Sequence, residues 1–84
     1  MKYPIGTKIE FYGDYDRSSP YEYFEIEAYA IFLDGSTNYL VWSSYNEYGN
    51  QYDFFSEETL ALEIKERKDC GDEVKIKEEY ETTQ

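Results

Sequence analysis

Residues 21–33 read YEYFEIEAYAIFL, and the alternation within them decides the fold class. Phe24, Ile26, Ala28, Ala30 and Phe32 share one parity; Tyr23, Glu25, Glu27 and Tyr29 share the other. Side chains of a β-strand point to opposite faces with period two. The pattern therefore predicts a long strand over 22–33, with an apolar face turned to a core and a face of tyrosines and carboxylates turned outward. A longer asymmetry surrounds it: no Lys or Arg occurs from Ser18 to Ile64.

On the C-terminal side, Asp34-Gly35 follows at once, and Asp-Gly between two apolar runs is a strong hairpin signal. The return strand spans 39–45, with Leu40 and Trp42 inward and Tyr39, Val41 and Ser43 outward. A turn over 46–50 leads to a fourth strand over 51–55. Ser56-Glu57-Glu58-Thr59 offers an N-cap and an acidic first turn; four residues predict a single 3₁₀ turn. Leu60, Leu62 and Ile64 then alternate as a fifth strand over 60–64. Residues 65–72 read as a charged turn, and Val74 and Ile76 mark a short sixth strand over 73–77 at a sheet edge. On the N-terminal side, residues 13–20 (GDYDRSSP) hold turn formers. Before them, Ile9 and Phe11 alternate with Lys8, Glu10 and Tyr12. The sum is one all-β domain over 1–77, with five to six antiparallel strands and a frayed acidic tail over 78–84. Its expected core includes Phe24, Ile26, Phe32, Leu40, Trp42 and Leu62.

Composition narrows the function. A chain of 84 residues buries only about 60–65% of its unfolded surface. Aromatic residues compensate, at 20% of the chain and with 11 Tyr, because each buries a large area. The net charge of −11 argues against direct nucleic-acid binding, since Lys and Arg supply that affinity. It favours basic protein partners instead. There is no His, which removes the commonest general base and zinc ligand. The lone Cys70 stands near Asp69 and Asp72, which discourage a thiolate. Glu25/Glu27 and Asp14/Asp16 have strand spacing, but so small a chain offers no glycosidase cleft. A calcium loop starting at Asp14 would place Ser19 where Gly is needed. No enzyme activity, metal or cofactor is expected. With no apolar N-terminal run and no long apolar stretch, the expected location is cytoplasmic, away from membranes, as a monomer or weak dimer.

Short, closely spaced strands with a 3₁₀ turn before the last resemble the SH3-like small β-barrel of SH3, Tudor and KOW domains. The resemblance lies in FYGDYD, the Asp34-Gly35 hairpin, Trp42 and FFSEETLALEI. It implies a barrel of protein-interaction type with Tyr12, Tyr15 and Trp42 on the ligand face. Size, charge and aromatic content also look like the small acidic DNA-mimic proteins of phages and mobile elements, which block host nucleic-acid-binding proteins. A rigid sheet of spaced carboxylates can occupy a groove built for phosphates, and Tyr adds cation–π contacts to Arg. The expected contact residues are Glu22, Tyr23, Glu25, Glu27, Tyr29, Asp34, Tyr39, Tyr45, Glu47, Tyr48 and Asp53. The expected partner is a basic protein surface. The alternatives are an SH3-like interaction module without mimicry and, third, carbohydrate binding on exposed aromatics.

Overall fold

A computed structural model describes residues 1–45, 49 and 51–78. The chain is mostly β. Its strands are β1 (Lys8–Tyr12), β2 (Glu22–Ile31), β3 (Thr37–Ser43), β4 (Tyr52–Phe55) and β5 (Glu73–Lys77), with one helix, α1 (Glu57–Asp69), between β4 and β5. The strands form one antiparallel sheet in the order β4-β3-β2-β1-β5. Among the described residues β4 pairs only with β3 and β5 only with β1, so the sheet is open where a closed barrel was expected. The sixth strand expected at 73–77 is β5, and its Val74 and Ile76 lie opposite Phe11 and Ile9.

The expected hairpin forms around Asp34-Gly35. Asp34 Oδ1 accepts from the Ser36 N–H at 2.9 Å and from Ser36 Oγ at 2.7 Å. Gly35 supplies φ +89°, a value that costs a residue with a Cβ. These two residues fix the register of β2 against β3.

Residues 57–69 correct the expectation from sequence. The 3₁₀ turn and fifth strand expected there are one α-helix, which also absorbs most of the expected charged turn. Ser56 Oγ accepts from the Thr59 N–H at 3.1 Å, and Thr59 Oγ1 accepts from the Ser56 N–H at 2.9 Å. This reciprocal capping box satisfies two donors that a helix start leaves orphaned. Glu57 and Glu58 in the first turn and Arg67 and Lys68 in the last complement the helix dipole. Gly71 follows the Cys70 cap at φ +101° and ends the helix. Leu60 and Ile64, four apart, share one helical stripe and are buried, whereas Leu62 points away and is exposed.

The helix covers one face of the sheet. The core between them holds Tyr3, Ile9, Phe11, Phe24, Ile26, Tyr39, Val41, Leu60 and Ile64. Thus Ile9, Phe11, Phe24 and Ile26 lie inward as their parity requires. Beyond Ile26 the parity fails, because the β2–β3 register shifts between Ile26 and Ala28. Glu27 is the extra, exposed residue of this β-bulge, and a bulge exchanges the faces of the residues beyond it. Tyr29 therefore lies inward beside Tyr39, while Ala28 and Leu40 lie on the open face. Phe32, Leu40, Trp42 and Leu62, expected in the core, are all outside it.

Tyr39 replaces them. Its ring is fully buried. Its hydroxyl donates to Glu57 Oε1 at 2.8 Å and accepts from the Tyr3 N–H at 2.9 Å. Glu57 Oε1 also accepts from the Lys2 N–H at 2.7 Å, and Tyr29 donates to the Tyr3 carbonyl at 2.6 Å. The start of the chain is thereby tied to the helix start and to β3. Burial pushes the Tyr39 hydroxyl up to about 12; the Tyr3 N–H works against this, and the Glu57 carboxylate adds to it. A folded value above the unfolded value of 10.0 gives stability that is complete below pH 10 and lost as pH rises toward 12. Tyr39→Phe should cost about 1–3 kcal/mol at pH 7. That cost should shrink steadily above pH 10 in paired urea titrations of the two proteins. A cost that stays constant with pH would contradict the assignment.

Candidate functional site

Between α1 and the β3–β4 side of the sheet lies a cleft of about 430 Å³. Phe24, Tyr45 and Phe55 form its aromatic walls, the start of β4 at Tyr52 borders it, and Glu22, Asp53, Glu63 and Arg67 are its charged groups. Each position follows from the fold. Glu22 precedes Phe24 by two on β2 and shares its face. Asp53 lies opposite Val41, on the helix-covered face of the edge strand β4. Glu63 and Arg67 are four apart on α1, the spacing of neighbours along one helical stripe.

Arg67 organises the cleft. Its Nη1 lies 3.0 Å from Glu22 Oε1 and donates to Tyr21 Oη at 3.1 Å, and its Nε donates to Glu63 Oε2 at 2.9 Å. Its guanidinium carbon stands 4.2 Å from the centre of the Phe11 ring and 5.6 Å from that of Phe24, within cation–π range. Desolvation disfavours the charge, but Glu22, Tyr21 and Glu63 outweigh it and raise the Arg67 pKa. Ser43 Oγ donates to the other Glu22 oxygen at 2.7 Å, and Tyr21 Oη donates to Asp72. Three carboxylates thus share the cleft with one guanidinium, leaving two negative charges in excess. Such a site attracts an ammonium or guanidinium, and its aromatic walls suit the face of that group.

The residues expected from sequence scatter. Glu22 and Asp53 reach the cleft, as does Tyr45 at its rim. Tyr23 and Glu25 lie on the opposite, open face, where Tyr23 stacks on Trp42 at 5.5 Å between ring centres and Lys8 sits over the Tyr23 ring. Glu25 is the cross-strand neighbour of Lys8. Glu27 is the bulge residue. Tyr29 is turned to the helix side, its hydroxyl engaged with Tyr3. Asp34 serves the hairpin turn, and Ser36 donors hold its carboxyl below the usual carboxylate range. Tyr39 is core and offers no contact surface. Glu47 and Tyr48 lie outside the described residues.

The expected base-free sheet does not form either, because β1 sets Lys8 beside Glu25 and β5 adds Lys77 and Lys75 opposite Lys8 and Glu10. Sequence reasoning missed Arg67, Glu63 and Phe55. The Glu63–Arg67 spacing is the one signal that could have found the first two, and it carries meaning only on a helix.

No family model, no characterised protein and no solved structure matches this chain. Among the described residues no group of three or more potential ligand side chains is gathered to hold a metal ion. No helix there is long and apolar enough to cross a membrane.

The side chains of Arg67 and Glu22 are 20% and 11% exposed, so removing one partner strands a buried charge. Arg67→Ala should cost about 3 kcal/mol or more, with Glu22→Gln in the same direction. Arg67→Lys should recover only part, since an ammonium cannot fork between two carboxylates. The double variant Glu22→Gln/Arg67→Met should be less destabilised than the sum of the single changes. Urea denaturation of the set at pH 7 reads all of these; strict additivity would show that the pair is not coupled.

Proposed function

We propose that the chain is a non-enzymatic acidic binding protein of the cytoplasm whose partner is a basic protein surface. One observation carries the reading: an aromatic-walled cleft with two negative charges in excess on a molecule of net charge −11. A Lys or Arg side chain of the partner enters the cleft against Asp53 and the outer oxygen of Glu63. The net charge steers the encounter and the cleft fixes its register. Basic surfaces of this kind are what nucleic-acid-binding proteins present to phosphates. The fuller reading is therefore polyanion imitation, in which the chain occupies a nucleic-acid-binding groove of a host protein, as a phage-encoded inhibitor would. The carboxylates that do this lie along α1 and the cleft, and the outward face of β2 takes no part.

An arginine-rich peptide of defined sequence tests the cleft. It should bind with an affinity that falls steeply as salt rises, and Asp53→Lys should weaken it by about tenfold while leaving the urea midpoint in place. For the fuller reading, basic proteins retained from a bacterial lysate at low salt should be released by duplex DNA. Peptide binding indifferent to salt and to Asp53→Lys would sink the cleft assignment. Retained proteins that hold DNA and this chain together would sink the imitation.

A further inference from the structure

The sheet has a second face that α1 does not cover, and half of it is apolar. Across β2, β3 and β4 the register sets Ala28 beside Leu40, Leu40 beside Phe54, and Trp42 beside Tyr52. Phe32 extends this row, its ring centre 5.2 Å from that of Phe54. Phe32, Tyr52 and Phe54 are 40%, 49% and 50% exposed. An antiparallel sheet with one solvated face ordinarily alternates to polar residues on that face. Here the outward positions of β3 and β4 carry no charge. A contiguous aromatic patch of this kind marks an interaction surface.

Charge decides what covers it. The outward strand positions of this face carry Lys8, Lys75 and Lys77 against Glu10, Glu25, Glu73 and the bulge residue Glu27, a net of one negative charge. The chain as a whole stands at −11, so this face carries little of the excess. A partner selected for basic charge finds only a weak field here. A second copy meets strong like-charge repulsion on the acidic surfaces and little on this one. The charged strip holds both signs, so copies related by a two-fold axis can set Lys of one strip toward Glu of the other.

We propose that the open face is a self-association surface, on which two copies stack sheet to sheet about a two-fold axis, with Phe32, Leu40, Trp42, Tyr52 and Phe54 of each at the centre. Such an interface is isologous, the same patch on both sides. Packed sheets lie about 10 Å apart, which leaves both helices and both acidic clefts facing outward. The dimer then presents two clefts to a basic partner at once.

Sedimentation equilibrium of the full chain tests this. A monomer–dimer equilibrium is expected, with a Kd on the order of 10–100 µM. Added salt should leave it unchanged or tighten it, because the force is apolar and the net charge opposes it. Phe54→Glu and Phe32→Glu should each raise the dimer Kd by at least about tenfold, with native circular dichroism. Leu62→Glu, on the exposed side of α1, should leave it unchanged. A chain that stays monomeric at every concentration overturns the proposal. So do Phe54→Glu and Phe32→Glu proteins that are folded and dimerise as the parent does. Peptide binding at the cleft should survive Phe54→Glu, so failure here and failure of the cleft assignment are separately visible.

Discussion

The fold depends on how one short helix is held to one sheet. Only Leu60 and Ile64 of α1 are buried. Two such side chains contribute about 3–6 kcal/mol at most, little for the single element that covers the core. Arg67 makes up the difference. It lies over the Phe11 ring and near that of Phe24, binds Glu22 of β2, and is itself braced by Glu63 one turn earlier. The guanidinium is the group for this because it stays charged when desolvated and donates in a planar fork. Its surroundings have a second consequence. Holding a cation between a helix and a sheet requires carboxylates there, and Asp53 adds a further one that Arg67 does not engage. The acidity of the cleft is thus in part a by-product of how the helix is fastened.

A single residue determines which tyrosines belong to the core. The period-two pattern of 21–33 has no break in the sequence, since Ala28 and Ala30 continue the parity of Phe24 and Ile26. The bulge at Glu27 nevertheless exchanges the faces. It lets Tyr29 and Tyr39 turn toward the helix, where their hydroxyls find partners in the Tyr3 carbonyl and Glu57. Without the bulge, Ala28 and Leu40 would be the inward pair, and the small Ala28 would leave the start of α1 poorly packed. A buried tyrosine is favourable only when its hydroxyl is satisfied. Here the first residues of the chain and the first turn of the helix do so.

Local signals therefore carried far, and each stopped at a definite place. Ile9 and Phe11, Phe24 and Ile26, the Asp34-Gly35 hairpin and Val74 with Ile76 were legible, because period two and turn chemistry act over a few residues. Leu60, Leu62 and Ile64 were ambiguous, since positions 60 and 64 satisfy a strand and a helix alike. The residues between and after them, with Ala, Glu, Lys and Arg prominent, favour the helix, and the Ser56–Thr59 box starts it. The inward face of β3 was hidden because the bulge that sets it lies on another strand. The cleft was hidden for a compound reason. Arg67 lies outside the stretch without bases and reaches Glu22 only once 57–69 is helical.

The two faces of the sheet have different chemistry because of where the bases fall in the chain. The run without Lys or Arg supplies β2, β3 and β4, while β1 and β5 come from the basic ends. Antiparallel pairing of β5 with β1 places Lys75 and Lys77 next to Lys8 and Glu10 on one side of the sheet. Lys77 meets Glu10 at 3.0 Å, and Lys75 covers the Tyr12 ring. This neutralises the open face at its β1–β5 end, while the β2–β4 end needs no neutralising because its outward residues are mostly apolar. On α1, in the cleft and in the loops, Lys65, Arg67 and Arg17 pair with only some of the carboxylates, and acids remain in excess. A long acidic run in sequence has thus become an acidic helix side and a nearly neutral, aromatic sheet side. That separation leaves one small chain with a charged surface on one side of the sheet and a largely apolar one on the other.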